Sequence, residues 1–257
     1  MKKLDLLPLQ GIFLADNLVS GLYRQVRNFF EHIRNQQKYE IPGIEDSVAM
    51  LVLEKKQQKA SKKETLKSSG IFDVPISEPV PAYSSQYPDN GFGIYLRLDE
   101  FYFDKYIAEG NSILRPIHYP PITQEPDDAV RAAAHGDINL ITLLMGAQGK
   151  GLQVQNHNGD WIDAIADPDE LMINVGDMLS RHTNNKLKST IHRVVNPPRE
   201  SWGTSRFSIP FFMHPVSEMP LNALENTVDE NNPKLYPDTT AGEFLYERLV
   251  ELGLIKK

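Results

Sequence analysis

The stretch from residue 113 to residue 215 constrains the fold most, because it is a succession of short apolar runs separated by turn-forming residues. The runs are rich in Ile, Val, Leu and Phe, and they read ILRPIHYPPI, NLITLLM, GLQVQ, ELMINV, STIHRVV and RFSIPFFM. Gly, Asn, Asp and Pro stand between them, at Gly149, Gly151, Asn156 to Asp160, Asp167, Pro168, Gly176, Asn184 and Asn185. Many short strands at regular spacing predict an antiparallel β sandwich or barrel.

Two helices are predicted, one on each side of this strand-rich core. Residues 17–34 place apolar side chains at helical spacing with charged ones opposite, and Asn17 is the predicted N-cap. Near the carboxyl end, Thr240 is a predicted N-cap and Glu243 completes a capping box. The apolar stripe of this second helix comprises Phe244, Leu245, Leu249 and Leu252.

Charge and composition exclude several classes of protein. Lys+Arg 27 against Asp+Glu 34 gives a formal net charge of -7, which is a poor footprint for a nucleic-acid binder. The lysines of residues 55–68 lack interleaved aromatic residues, so we interpret this stretch as a solvated helix face or loop. The absence of cysteine excludes disulfides, zinc–cysteine clusters, iron–sulfur ligation and thiol catalysis.

The sequence carries no apolar run long enough to span a bilayer. Its apolar start is interrupted by Asp5 and Asp16, and no small-residue cleavage site follows. We therefore expect a soluble cytoplasmic protein without a membrane or nucleic-acid partner.

Three residues have the types and spacing of a metal site. His135 and Asp137 stand two apart at the head of a strand-like run, and residues two apart on a strand share a face. His192 lies on another short strand. Two histidines and one carboxylate form the facial triad of non-haem Fe(II) oxygenases, which leaves metal positions open for a cosubstrate and O₂. The alternative interpretation of each residue is a structural histidine or carboxylate.

A second pair of residues points to carboxylate binding. Arg206 and Ser208 are also two apart on a strand-like run, and a guanidinium can pair with both oxygens of a carboxylate. The alternative is a surface arginine on an edge strand. Flanking apolar residues, among them Phe207 and Ile209, argue against an exposed strand.

The order and spacing of these motifs resemble the isopenicillin-N-synthase-like branch of the Fe(II)/2-oxoglutarate-dependent dioxygenases. The matching text is ILRPIHYPP, HGDINLITLL, GLQVQ, INVGDMLSRHTNNKLKSTIHRVVNPP, RFSIPFF and YPDTTAGEFLYERLVELGL. The resemblance implies a double-stranded β-helix (jelly-roll) core that is mainly β with flanking helices. It divides the chain into an N-terminal helical and irregular region packing on the barrel (residues 1–112), the oxygenase core (113–215) and a C-terminal loop and helix (216–257).

The resemblance also implies roles for particular residues. His135, Asp137 and His192 would be the iron ligands, and Arg206 and Ser208 would hold the far carboxylate of 2-oxoglutarate. Tyr119 matches a tyrosine that approaches the cosubstrate, and its alternative role is that of a buried aromatic residue with a satisfied hydroxyl. The implied reaction consumes Fe(II)-bound 2-oxoglutarate and O₂ to oxidise, by default to hydroxylate, a small molecule with release of succinate and CO₂. The other histidines are expected not to bind metal: His32, His118, His157, His182 and His214.

Two other functions stay open. Some relatives use the Arg-x-Ser pair for the substrate's own carboxylate and dispense with 2-oxoglutarate, as isopenicillin N synthase does. A non-catalytic jelly-roll binding protein is the third interpretation, although an intact set of ligands argues against it. The sequence defines neither the substrate nor the oligomeric state.

The first 110 residues resemble the family less closely. The usual N-terminal strand is hard to find, and relatives carry more sequence there than this chain does. We expect segments of a longer chain to be absent from the sequence, which an intact mass above that of this chain would support.

Overall fold

The structure of the chain, a computed structural model, describes residues 6–9, 16–33, 68–69, 93–145, 149–166 and 170–255. Most of its regular elements are short strands, and helices flank them. In chain order the elements are β1 (Leu6–Leu9), α1 (Asp16–Ile33), β2 (Ser68–Ser69), α2 (Asp104–Ile107), β3 (Ile113–Leu114), β4 (Ile117–Tyr119), β5 (Ala132–His135), β6 (Ile141–Met145), β7 (Leu152–Gln155), β8 (Trp161–Asp163), β9 (Leu171–Val175), α3 (Asp177–His182), β10 (His192–Val194), β11 (Arg206–Ser208), β12 (Pro210–Met213) and α4 (Ala241–Glu251).

The strands form antiparallel sheets, as the sequence predicts. The largest sheet has the order β1-β9-β6-β12-β3, the second β5-β10-β7-β8, and the third β11-β4-β2. Every pairing between these strands is antiparallel. The prediction of a mainly antiparallel β fold with few helices is therefore confirmed.

The largest core cluster lies where the five-stranded sheet meets the C-terminal residues. All five residues of β9 are buried, which explains why its sequence is apolar at every position except Asn174 instead of alternating. Ile141 and Ile173 of the sheet share this cluster with Phe244 of α4. Full burial of one such side chain contributes about 1.5–3 kcal/mol, so α4 is a structural part of the core.

The two predicted helix starts have different outcomes. At α4 the capping box is present: Thr240 Oγ1 accepts a hydrogen bond from the Glu243 amide (3.3 Å), and Glu243 Oε2 accepts one from the Thr240 amide (2.9 Å). The predicted apolar stripe is too long, because α4 ends at Glu251 and Leu252 is 61% exposed.

The prediction of Asn17 as the N-cap of α1 is wrong. The backbone is already helical at Asp16, whereas a cap needs non-helical dihedrals.

The N-terminal region contributes a strand that the sequence analysis did not find. Leu6–Leu9 pairs with β9 at the edge of the five-stranded sheet. An edge strand tolerates Pro8, which cannot donate a hydrogen bond to a neighbour. The lysine-rich stretch 55–68 lies outside the described residues except for Ser68 in β2.

Helix α1 packs against the strand that carries the predicted carboxylate-binding pair. Tyr23 and Val26 of α1 form a buried cluster with Phe207 and Ile209, at and just beyond β11. Arg27 adds a cation–π contact, with its guanidinium carbon 5.4 Å from the Phe207 ring centroid. Across the described ranges of the chain, we find no helix with the length and apolar character that a membrane span requires.

Candidate active site

The structure brings the three predicted metal ligands together at the ends of two neighbouring strands, with Asp137 just beyond β5. His135 ends β5 and His192 begins β10, and the antiparallel register sets these residues opposite each other. Their ring centroids are 4.4 Å apart. One ligand atom from each of His135, Asp137 and His192 lies within 4.8 Å of the others. This spacing suits a single metal ion bound by two imidazoles and one carboxylate.

Backbone carbonyls fix which nitrogen of each histidine can bind a metal. His135 Nδ1 lies 2.7 Å from the Ala133 oxygen, and His192 Nδ1 lies 3.0 Å from the Thr190 oxygen. A carbonyl oxygen only accepts, so each Nδ1 must carry the hydrogen and donate it. The lone pair is then on Nε2 of both rings, and the hydrogen bond also orients the ring. Both histidines therefore present Nε2 as the ligand atom.

Hydrogen bonds hold the carboxylate of Asp137 through one of its two oxygens. Oδ2 accepts from Thr142 Oγ1 at 2.6 Å and from Asn174 Nδ2 at 2.9 Å. Oδ1 lies 3.7 Å from His192 Nε2. Thr142 and Asn174 are directly opposite each other on β6 and β9. The central strands of the largest sheet thus position this ligand and leave Oδ1 for the metal.

Asn139 extends this network beneath the carboxylate. It is fully buried, and its Nδ2 donates to Thr142 Oγ1 at 3.0 Å and to the Ile141 oxygen at 2.9 Å. Because Thr142 Oγ1 accepts this bond, its hydrogen is directed to Asp137. The sequence analysis missed Asn139, Thr142 and Asn174. The available signal was a polar residue inside each of the buried apolar runs NLITLLM and ELMINV.

The residue between the first two ligands has no room for a side chain. A Cβ at Gly136 would lie 2.8 Å from Ser189 Oγ and 3.0 Å from Asp177 Oδ1. The Asp177 amide donates to the Asp137 carbonyl at 2.7 Å. Burial raises the pKa of the Asp177 carboxyl. These contacts give Asp177 a structural role at the start of α3.

Arg206, Ser208 and Tyr119 lie on two paired strands, β11 and β4. Arg206 is opposite Tyr119 in the register, and all three side chains are buried. The Arg206 guanidinium carbon is 5.0 Å from the Tyr119 ring centroid. Burial lowers the pKa of Arg206, an effect that the nearby Tyr119 opposes. A surface arginine on an edge strand is therefore ruled out.

The Arg206 guanidinium has donors that can bind an added anion. Its Nε and Nη1 are buried and have no hydrogen-bond partner among the described residues. A buried donor without a partner costs about 1–3 kcal/mol or more when charged, and a carboxylate would satisfy two donors at once. Gly149 lies against the aliphatic part of the side chain, where a Cβ would be 3.1 Å from Arg206 Cγ. Gly149 also has φ +107, a conformation that favours glycine.

A second buried arginine, which the sequence analysis missed, lies beside the same tyrosine. Arg131 is 2% exposed, and its guanidinium carbon is 5.8 Å from the Tyr119 ring centroid. Its Nη2 donates a long hydrogen bond of 3.4 Å to the Pro120 oxygen. The available signal was a charged residue within the strand-like run AVRAAAH, four residues before His135.

The other histidines are outside the metal cluster, as predicted for those whose side chains are described. His182 donates from Nδ1 to the Asn222 oxygen (2.7 Å) and lies 3.0 Å from the Tyr102 hydroxyl through Nε2. Burial lowers the pKa of His182 and of His214 to about 4. His118 contacts Ser205 and stacks on Phe207, and His157 is exposed. The side chain of His32 is outside the described set.

An antiparallel β fold that brings two histidines and one carboxylate together has the side chains of a facial-triad metal site. Comparison with known proteins identifies the group. The model of the 2OG-Fe(II) oxygenase superfamily matches residues 110–215. A crystal structure from Caulobacter crescentus, of a protein assigned to the 2OG-Fe(II) oxygenase family, is 33% identical with a TM-score of 0.80, and the match covers 96% of this chain and 90% of that one. The chain belongs to the 2OG-Fe(II) oxygenase superfamily.

Two further relatives agree with this assignment. A full-length Neurospora crassa protein, crystallised in complex with alpha-KG, is 27% identical with a TM-score of 0.73, over 96% of this chain and 86% of that one. A 2-oxoglutarate-Fe(II) type oxidoreductase of Emericella nidulans is 31% identical over 58% of this chain and 43% of its own length. The chain spans about half the length, or less, of the curated relatives that it matches. The predicted family is confirmed, and the isopenicillin-N-synthase-like branch is consistent with these matches.

Proposed function

We propose that this protein is an oxygenase that uses Fe(II), 2-oxoglutarate and O₂ to oxidise a small organic molecule, with hydroxylation as the default outcome and succinate and CO₂ as coproducts. The observation that carries the proposal is the cluster of His135, Asp137 and His192, in which one ligand atom of each residue lies within 4.8 Å of the others. Family membership supports the same cofactor and cosubstrates.

Fe(II) would be held by Nε2 of His135, Nε2 of His192 and Oδ1 of Asp137. Three protein ligands leave the remaining positions of a six-coordinate metal to small molecules. When bound, the iron with 2-oxoglutarate and O₂ supplies the oxidising chemistry that amino-acid side chains lack. The hydrogen bonds to Asp137 keep its carboxylate oriented for the metal, so little rearrangement accompanies binding.

The distal carboxylate of 2-oxoglutarate would be bound by Arg206 and Ser208. The fit rests on the buried Nε and Nη1 of Arg206 and on a buried hydroxyl two residues further along β11. Tyr119, opposite Arg206 in the register, would flank the same carboxylate and keep water from it. These residues bind and orient the cosubstrate, and none of them has to transfer a proton.

The N-terminal region would complete the substrate pocket. We propose that residues 1–112 pack on the 113–215 barrel, with residues 216–257 as a C-terminal addition, and that the substrate is a small molecule. The contact of α1 with Phe207 supports packing of the first part on the barrel. The Neurospora crassa protein was also crystallised with alpha-KG and thymine, so a relative binds a small molecule beside the cosubstrate. A cytoplasmic location stays a prediction.

The test is an anaerobic titration of the metal-free protein with Fe(II) and then 2-oxoglutarate, followed through the weak visible charge-transfer band of the chelate. We expect a band in the wild type and a much weaker one in Arg206→Ala at the same 2-oxoglutarate concentration. Arg199→Ala is the control, because Arg199 contacts Glu125 and Trp202 and none of the proposed ligands, and it should behave as wild type.

Each other outcome has a defined meaning. Iron binding without a band would favour an oxidase that uses Arg206 and Ser208 for its substrate's own carboxylate. Failure to bind Fe(II) at all would favour a non-catalytic binding protein and would contradict the proposed function.

A further inference from the structure

We infer that Arg131 is a specificity-determining residue of the 2-oxoglutarate site: together with Arg206, which contacts the same Tyr119 ring, it favours 2-oxo acids that carry a distal carboxylate. The inference rests on the proposed function, because it assigns a residue to the cosubstrate site defined there. No role for Arg131 follows from the iron ligands or from the Arg-x-Ser pair.

The geometry places both arginines on one tyrosine. The Tyr119 ring centroid is 5.8 Å from the guanidinium carbon of Arg131 and 5.0 Å from that of Arg206. The two arginines lie at the starts of different strands: Arg131 immediately precedes β5, and Arg206 is the first residue of β11.

The charges in this cluster are unbalanced. Both arginines are 2% exposed, and within the described ranges neither forms an ion pair with Asp or Glu. Burial lowers the pKa of Arg131, and the positive charge of Arg206 lowers it further. A guanidinium nevertheless stays protonated in proteins. Arg131 and Arg206 therefore place two buried positive charges beside Tyr119, and an entering carboxylate would relieve the repulsion between them.

A purely structural role does not account for the choice of arginine here. Its hydrogen bond to the Pro120 oxygen is long, at 3.4 Å. An uncharged side chain of similar size would fill the same volume without the cost of burying a charge, which often exceeds what a buried ion gains. The positive charge of Arg131 has a function when a carboxylate binds to Nε and Nη1 of Arg206, because both guanidinium groups contact the same Tyr119 ring. A nearby charge in a partly desolvated site changes anion binding by about tenfold or more.

The experiment measures cosubstrate binding and not turnover. Arg131→Gln removes the charge and keeps a donor for the Pro120 oxygen. The dissociation constants of 2-oxoglutarate and of 2-oxobutyrate, which lacks the distal carboxylate, are measured anaerobically on Fe(II)-loaded wild type and variant. We expect the variant to bind 2-oxoglutarate about tenfold more weakly, with 2-oxobutyrate and Fe(II) affinity unchanged. Equal weakening for both acids, or no change for 2-oxoglutarate, would overturn the inference.

Further variants keep the test decisive. Arg131→Met fills the same volume without polar atoms and replaces Arg131→Gln if that variant does not fold. Arg131→Lys keeps the charge, and its dissociation constant for 2-oxoglutarate should stay within about threefold of the wild-type value. If Arg131 had only a packing role, the Lys variant would bind 2-oxoglutarate as weakly as the Met variant does. Arg199→Gln is the control on an arginine that contacts Glu125 and Trp202 and none of the proposed ligands.

The two proposals fail in different ways. If wild-type protein binds Fe(II) but gives no 2-oxoglutarate band, the proposed function fails. If wild type gives the band and the loss of charge at Arg131 leaves the ratio of the two dissociation constants unchanged, only the role of Arg131 fails.

Discussion

Thr142 donates its hydroxyl hydrogen to Oδ2 of Asp137 at 2.6 Å, and this bond decides which carboxylate oxygen is left for a metal. The donor is on β6, in the centre of the largest sheet, whereas the acceptor lies just beyond β5 of the four-stranded sheet. The bond therefore links the two sheets at the metal cluster.

Removal of this hydroxyl should weaken metal binding. Thr142→Val keeps the shape of the side chain but leaves Oδ2 with Asn174 as its donor, and we expect Fe(II) affinity to fall by about tenfold or more. Competition titration against a metal chelator measures the change. Thr142→Ser retains the hydroxyl and should stay close to wild type. Unchanged affinity in the valine variant would show that the bond does not orient the ligand.

A methyl group at position 136 should strain the metal site. Gly136→Ala would bring Cβ to 2.8 Å from Ser189 Oγ and 3.0 Å from Asp177 Oδ1, so the backbone between the ligands has to move. We expect a loss of about 1–3 kcal/mol in the free energy of unfolding together with weaker metal binding. Denaturant unfolding with and without Mn(II) measures both.

Ser189→Ala supplies the control for that substitution, because it removes the nearer of the two obstructing atoms. The double variant Gly136→Ala with Ser189→Ala should recover part of the loss. Additive losses in the double variant would mean that the contact with Ser189 Oγ is not the cause.

Burial of His182 should make stability depend on pH below neutrality. Its pKa is lowered by burial from 6.5 to about 4, so between these values the unfolded chain binds a proton that the folded chain does not. Stability is therefore complete above about pH 6.5 and is lost as the pH falls towards 4, by up to about 3 kcal/mol for this group. Urea unfolding at pH 7, 6 and 5 measures the slope.

His182→Gln removes the titrating group while keeping a side chain that can donate to the Asn222 oxygen. The free energy of unfolding of this variant should depend less steeply on pH than that of the wild type. His214, whose pKa burial also lowers to about 4, should account for a similar part. A variant with the full wild-type slope would exclude His182 as a source.

The capping box of α4 should contribute measurably to stability because Phe244, in the first turns of that helix, belongs to the main core. Thr240→Ala removes the acceptor for the Glu243 amide and should cost about 1 kcal/mol in the free energy of unfolding. Thr240→Ser keeps the acceptor and should cost little. Thermal and urea unfolding of the three proteins checks this.

The sequence was sufficient for those parts of the site that depend on short-range spacing. His135 and Asp137 are two residues apart, and a distant histidine, His192, could be paired with them because the family pattern supplies the third ligand. The same holds for Arg206 and Ser208. Arg206 and Ser208 share a face through strand periodicity, which is a local property, whereas β5 ends at His135 and Asp137 lies just beyond it.

The parts that were missed depend on strand register. Thr142 and Asn174 meet because β6 and β9 are paired in one particular register, which no local pattern specifies. Strand β1 was missed for the same reason, since Leu6–Leu9 is too short to be recognised without its partner β9. Arg131 was passed over because an arginine within a short run is usually exposed, and only the fold shows that it is buried.

Through helix α1, the amino-terminal part of the chain bears on the proposed cosubstrate site as well as on the proposed substrate pocket. Tyr23 of α1 is 3% exposed, and burial raises its pKa to about 12 while the charge of Arg206 acts in the opposite direction. A phenol from the first 33 residues is thus an electrostatic neighbour of a guanidinium that lies more than 180 residues later in the chain. Because α1 also packs on Phe207 beside Arg206, we expect removal of this helix to change the affinity for the cosubstrate even when residues 113–215 are left unchanged.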